Sequence, residues 1–209
     1  MTINKLDDNS LVTATTEALV LRIAPCRESG AVVTCLSPSL GRMAFYEGGS
    51  RGVRSDLFQL LEFAAKPSRR ANDDGDFYQI SERTLLADYS AVANDYAAYQ
   101  ATCWLAGFTL RNTLPRMPMP RYFAALKGAL RRLCVQEAPP EAMLTGAGLV
   151  FLYENGWLDT TQMSPQEISQ CEALLNMALE LAPPPDLAAE TWRQLWEWTQ
   201  GRLTASLPI

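Results

Sequence analysis

The chain has 209 residues, 48% of them hydrophobic and 20% charged, with a formal net charge of -5 and a pI near 4.9. That length supplies one large or two small domains, each able to bury a core. The acidic balance excludes a protein that coats nucleic acid by bulk charge, because phosphate affinity grows with the number of cations presented.

The first 90 residues read as β-structure. TEALVLRIAP, GAVVTCLSPS, GRMAFYEGG, LFQLLEFAAK and DFYQISERTLL are short runs rich in β-branched and aromatic residues, punctuated by Gly, Pro, Ser, Asn and Asp. Five strands at this spacing fit a small barrel, because closure removes exposed edges. The oligonucleotide-binding (OB) barrel is the five-stranded candidate. Periodicity alone leaves an SH3-like barrel and a small sandwich open.

From about Asp88 the period becomes helical. ADYSAVANDYAAYQATCWLAGFTLRNTL is rich in alanine, with aromatics recurring at three and four, and it stops at the proline-broken stretch LPRMPMPR. Between Pro120 and Gln136, Tyr122, Phe123, Leu126, Ala129, Leu130, Leu133 and Cys134 fall on one side of a helix. Arg121, Lys127, Arg131 and Arg132 fall on the other. Ser164, Pro165 and Glu167 spell an N-cap, a first helical proline and a capping box. Ile168, Cys171, Leu174, Leu175, Ala178 and Leu179 then form an apolar stripe. In a last helix Trp192, Leu195, Trp196, Thr199 and Leu203 share a face, while Trp198 points elsewhere. The expected fold is α+β, an OB-type barrel over residues 1–85 followed by an all-α domain over 86–209.

Charge is unevenly placed along the chain. Residues 1–70 carry nine Lys/Arg against seven Asp/Glu, 71–110 one against six, 111–132 six against none, and 133–209 two against ten. Two local basic islands therefore stand out of an acidic background. One is the glycine-rich loop GGSRGVR, whose backbone bends freely while cations reach outward. The other is the helix face beginning at Arg121, with Arg111 and Arg116 nearby. It reads either as a solvated surface or as a docking site for an acidic, aromatic-containing tail.

No catalytic constellation is present. Without histidine there is no Ser-His or Cys-His pair and no imidazole metal site. The five cysteines lie 9, 68, 31 and 37 residues apart, which matches neither a C-x-x-C zinc pair nor a disulfide framework. GGSRGVR lacks the Lys-Ser/Thr ending of a P-loop. Asn72 to Asp76 resembles the start of a calcium loop but has no glutamate at the twelfth position, so it reads as a turn. The N-terminus has no basic segment followed by an apolar run, and no stretch of about 18 apolar residues occurs. A cytoplasmic, non-enzymatic protein with no cofactor, metal or membrane partner is expected.

The stretch TEALVLRIAPCRESGAVVTCLSPSLGRMAFYEGGSRGVRSDLFQLLEFAAK resembles the N-terminal domain of the bacterial recombination mediator RecO family. The matching series is the strand Thr16 to Leu21, the polar turn Arg27 to Ser29, the strand Val32 to Ser37, and the turn Gly41–Arg42. The basic loop Gly49 to Arg54 and the hydrophobic strand Leu57 to Phe63 complete it. The switch to helices afterwards matches too. Where relatives carry paired cysteines, this chain passes from LVFLYENGWLDTT directly into MSPQEISQCEALL, so the family's zinc module is absent.

The resemblance implies a DNA repair and recombination mediator that binds single-stranded and double-stranded DNA and anneals strands. It implies contact with the acidic C-terminal tail of single-stranded DNA-binding protein, and work with RecR to load RecA. An OB barrel binds a strand through a basic groove with stacking aromatics. The DNA candidates are Arg22, Arg27, Arg42, Arg51 and Arg54 with Phe45 and Tyr46. Phe45 and Tyr46 alternate along one strand, so at most one can stack on a base. The partner-binding candidates are Arg111, Arg116, Arg121, Lys127, Arg131 and Arg132. The alternative is an adaptor of the same fold that has lost DNA binding. Convergence of Arg22, Arg42, Arg51 and Arg54 on one face favours DNA; interruption by Glu17, Glu28 and Glu47 favours the adaptor.

Overall fold

A computed structural model describes residues 14–26, 30–48, 54–68, 76–161 and 163–207. Strands β1 (Ala14–Cys26), β2 (Gly30–Ser37), β3 (Gly41–Glu47), β4 (Gln59–Pro67) and β5 (Phe77–Asp88) close into a barrel in the order β1-β2-β3-β5-β4. The neighbours are antiparallel except β3 and β5, which run parallel over Ala44↔Phe77 and Phe45↔Tyr78. This is the OB-type arrangement, and it sets aside the open sandwich and SH3-like alternatives.

The barrel is sealed inside and clad outside by different residues of the same strands. Ala18 and Val20 of β1 point inward to meet Val33, Cys35, Met43, Phe45, Leu61 and Phe63. Leu19 and Leu21 point outward into a second core shared with the helices, joined by Leu36, Phe58 and Leu60. Burial on both faces explains why β1 reads as the continuous run ALVL rather than an alternation. Burial also pushes the Cys35 thiol well above its ordinary range.

A 3₁₀ turn (Ser90–Asn94) leads into α1 (Tyr96–Asn112), α2 (Pro120–Cys134), α3 (Pro140–Glu154), α4 (Pro165–Ala178) and α5 (Ala189–Ser206). The single helical stretch read from Asp88 onward is thus two elements, because the Asp95 side chain accepts a hydrogen bond from Ala98 N and caps α1 afresh. The capping box of α4 is present as spelled, with Ser164 and Glu167 bonding reciprocally. In α5, Trp192, Thr199 and Leu203 are buried, and Trp198 is 38% exposed.

Helix α3 went unrecognised in the sequence. Every residue from Ala142 to Leu152 is buried, so it has no polar face to give it a period. It forms the centre of the helical half. A Cβ on Gly146 would come 2.9 Å from both Ala178 Cβ and Met177 Cε, and one on Gly148 would come 2.7 Å from Thr199 Cγ2. These glycines let α4 and α5 approach α3 at backbone distance. Among the described residues no helix is long and apolar enough to cross a membrane, and no group of three or more Cys, Asp or Glu is placed to hold a metal ion.

Barrel and helices are joined at the β2–β3 turn. Gly41 has φ +70°, and a Cβ there would lie 2.6 Å from the carbonyl oxygens of Leu114 and Met117, so only glycine fits. Leu40 O accepts from Arg116 N at 2.9 Å, and Leu114 O accepts from Arg42 N at 3.2 Å.

Candidate nucleic-acid interface

Strand register decides which side chains share the outer surface of the barrel. Arg22 of β1 lies opposite Thr34 of β2, Thr34 opposite Ala44 of β3, and Ala44 opposite Phe77 of β5. Residues opposite one another on paired strands project to the same side. Val33, Phe45 and Tyr78, their neighbours along the strands, fill the interior, so this row faces outward. The adjacent row runs Ala24, Val32 and Tyr46. A register shift between Val20 and Arg22 turns Arg22 out beside Leu21, which instead enters the core shared with the helices.

The outward rows therefore carry exposed Arg22, half-exposed Tyr46 (50%), half-buried Phe77 and half-buried Thr34. A cation for phosphates beside flat aromatic surface for bases is the combination that single-strand binding uses. Phe77 was missed in the sequence. Its place on this face follows from parallel pairing with Ala44, a contact between segments 33 residues apart that no local pattern encodes.

The other expected DNA contacts are distributed differently. Phe45 is interior, 1% exposed and edge-on to Phe63 at 5.6 Å, so it cannot meet a base. Arg42 turns toward the helices, where its Nη1 donates to Leu110 O at 2.8 Å, and it serves as a strut between barrel and α1. Arg54 is exposed where the described chain resumes after the glycine-rich loop. Arg27 and Arg51 lie outside the described residues, as do Glu28 and most of the calcium-like segment.

The acidic residues set against these cations are engaged internally. Glu47 accepts from Ser55 N at 3.0 and 3.1 Å and pairs with Arg83, whose Nη1 also donates to Ser55 Oγ at 2.9 Å. This clasp fixes the far end of the glycine-rich loop to β3 and β5. Glu17 pairs with Lys127 at 3.3 Å.

On the helices, the expected cationic face is partly consumed by structure. Arg132 is 4% exposed and donates to Met177 O at 2.9 Å and Ala182 O at 3.2 Å, so it is not part of a docking surface. Sequence periodicity put it on the outer face, but α4 covers that flank. Lys127 is held by Glu17, and Arg131 by Glu180 at 2.7 Å and Glu137 at 3.3 Å. Arg111, Arg116 and Arg121 are exposed; Arg121 sits 5.2 Å from the Tyr153 ring centre.

No protein-family model matches the chain. It is similar to the DNA repair protein RecO of Frankia casuarinae, 29% identical over 143 residues, which are 68% of this chain and 59% of that protein. It is similar also to RecO of Synechococcus elongatus and of a second Synechococcus strain. Each is 28% identical over 124 residues, 59% of this chain and 47% of the relative. The chain thus spans about half the length of the curated relatives it matches. Together with the OB-type barrel and the helices that follow it, these three relatives support membership of this chain in the RecO family of DNA repair proteins.

Proposed function

We propose that this protein is a RecO-like recombination mediator that binds DNA on the outward rows of β1, β2, β3 and β5. In this reading residues 1–85 are the DNA-binding domain and 86–209 the partner-binding domain. The observation that carries it is the register placing Arg22, Tyr46 and Phe77 on one outer surface, in a chain similar to DNA repair proteins. With few cations on that surface, binding to single-stranded and double-stranded DNA is of modest affinity and steeply salt-dependent. Strand annealing, and joint action with RecR in loading RecA, belong to the same reading.

For the helical half, exposed Arg111, Arg116 and Arg121 meet the acidic tail of single-stranded DNA-binding protein in this reading. The protein acts by binding, without a catalytic step.

The deciding measurement is anisotropy of a labelled single-stranded oligonucleotide across a salt series, with Arg22→Ala beside the wild type. Binding that weakens with salt, and a variant that binds less well with a shallower slope, supports the mediator. No binding at low salt sinks the DNA reading and leaves the adaptor of the same fold.

A further inference from the structure

Tyr46 is the one aromatic among the described barrel residues that leaves half its surface, 50%, in solvent. Its position is not left to chance. Val32 lies opposite Tyr46, so Gly30 is its diagonal neighbour on β2. The phenol end lies directly over Gly30: a Cβ there would lie 2.5 Å from Tyr46 Cζ and 2.6 Å from Cε2, and closer still to Oη. Every residue other than glycine would occupy the space the ring uses. The glycine backbone supports the phenol end from beneath, as cross-strand aromatics cover glycines elsewhere in sheets. With only two side-chain torsions, the tyrosine gives up little freedom in being held.

We propose that Gly30 and Tyr46 together form a stacking platform for one unpaired nucleobase, and that this platform gives the barrel its preference for single strands over duplex. The proposal rests on the DNA reading above and adds to it a site and a selectivity. Phosphate contacts such as Arg22 serve either form of DNA, because both present the same charged backbone. A base inside a duplex has both faces covered by its neighbours, so only an unpaired base can lie on an exposed ring. Gly30 is a positioning residue that acts through Tyr46.

The test uses the full chain, an oligothymidylate about 16 nucleotides long, a duplex of equal length and an abasic strand of equal length. Wild type is compared with Tyr46→Leu, Gly30→Ala and the double variant. Tyr46→Leu and Gly30→Ala should each weaken oligothymidylate binding by about 5- to 150-fold, the range of one lost base stack. Duplex and abasic-strand affinity should stay within about twofold. The double variant should be no weaker than either single one, because both remove the same contact. Tyr46 is exposed and can swing aside, so the thermal midpoints should agree.

Equal losses on all three probes, or a Gly30→Ala protein that binds like wild type, overturn the platform while leaving the DNA reading intact. Wild type that binds none of the probes overturns both.

Discussion

Arg132 Nη1 donates to the carbonyl oxygen of Met177 at 2.9 Å, which makes a cation of α2 the cap for the last turn of α4. Its side chain is buried, with Nη2 on Ala182 O at 3.2 Å and Glu137 Oε1 3.6 Å from Nε. Replacement by methionine removes the guanidinium donors of both carbonyls, leaving Met177 O, among the described residues, with the Glu180 N–H at 3.1 Å alone. Arg132→Met should therefore cost about 2–4 kcal/mol of stability, whereas exposed Arg121→Met should stay within about 0.5 kcal/mol. Urea midpoints of the two variants measure the difference, and equal midpoints would show that Arg132 is a surface residue after all.

Two helical glycines should respond to alanine with opposite signs. At Gly148 the new methyl meets Thr199 Cγ2 at 2.7 Å and Leu203 Cδ1 at 3.2 Å, whereas at Gly201 of α5 nothing lies within 4 Å. Gly148→Ala should cost about 1–3 kcal/mol through overpacking, despite the better helix propensity of alanine. Gly201→Ala should gain about 0.5–1 kcal/mol from propensity alone. Thermal denaturation of the pair reads both signs at once.

The pair Glu17–Lys127 ties β1 to α2, yet both side chains are about a third exposed, at 31% and 33%. Solvent screening limits such a pair to less than about 1 kcal/mol. A double-mutant cycle with Glu17→Gln and Lys127→Met should return a coupling of that size, shrinking as salt is raised. A larger coupling, insensitive to salt, would mean that the junction between barrel and helices depends on this contact.

The backbone N–H of Ser164, and then its hydroxyl, hold the Glu167 carboxyl below its ordinary value near 4.5. A carboxyl lowered on folding contributes stability above its unfolded value and loses it as pH falls through the folded one. The advantage of wild type over Glu167→Gln should accordingly be complete near neutral pH and fade below about pH 4.5. Denaturation midpoints of both proteins across that range test it; a gap that widens in acid contradicts the capping box as its source.

The strands were legible because β-branched runs and turn residues are local signals, and α2 and α4 because one face is apolar and each opens on a proline, with a capping box before α4. Helix α3 was not, since burial on every side erases the contrast that periodicity needs. The site was legible in part. Tyr46 could be named from its strand, but its support by Gly30 depends on a diagonal across two strands. The losses of Arg42 and Arg132 as contacts follow from carbonyls of Leu110 and Met177, 68 and 45 residues away in the chain. Sequence shows that an arginine can reach outward, and only the fold shows what it finds first.

The barrel shuts along a short seam. Strands β3 and β5 meet at two residue pairs, with Ala44 N donating to Asp76 O at 2.6 Å beside them. The outward row from Arg22 through Thr34 and Ala44 to Phe77 crosses that seam. A strand of DNA lying along the row would act as a rivet, spanning the line at which the cylinder would otherwise part. Occupancy of the surface would then reinforce a ring that is already closed, and the amide of Ala44 is where slower hydrogen exchange would register it.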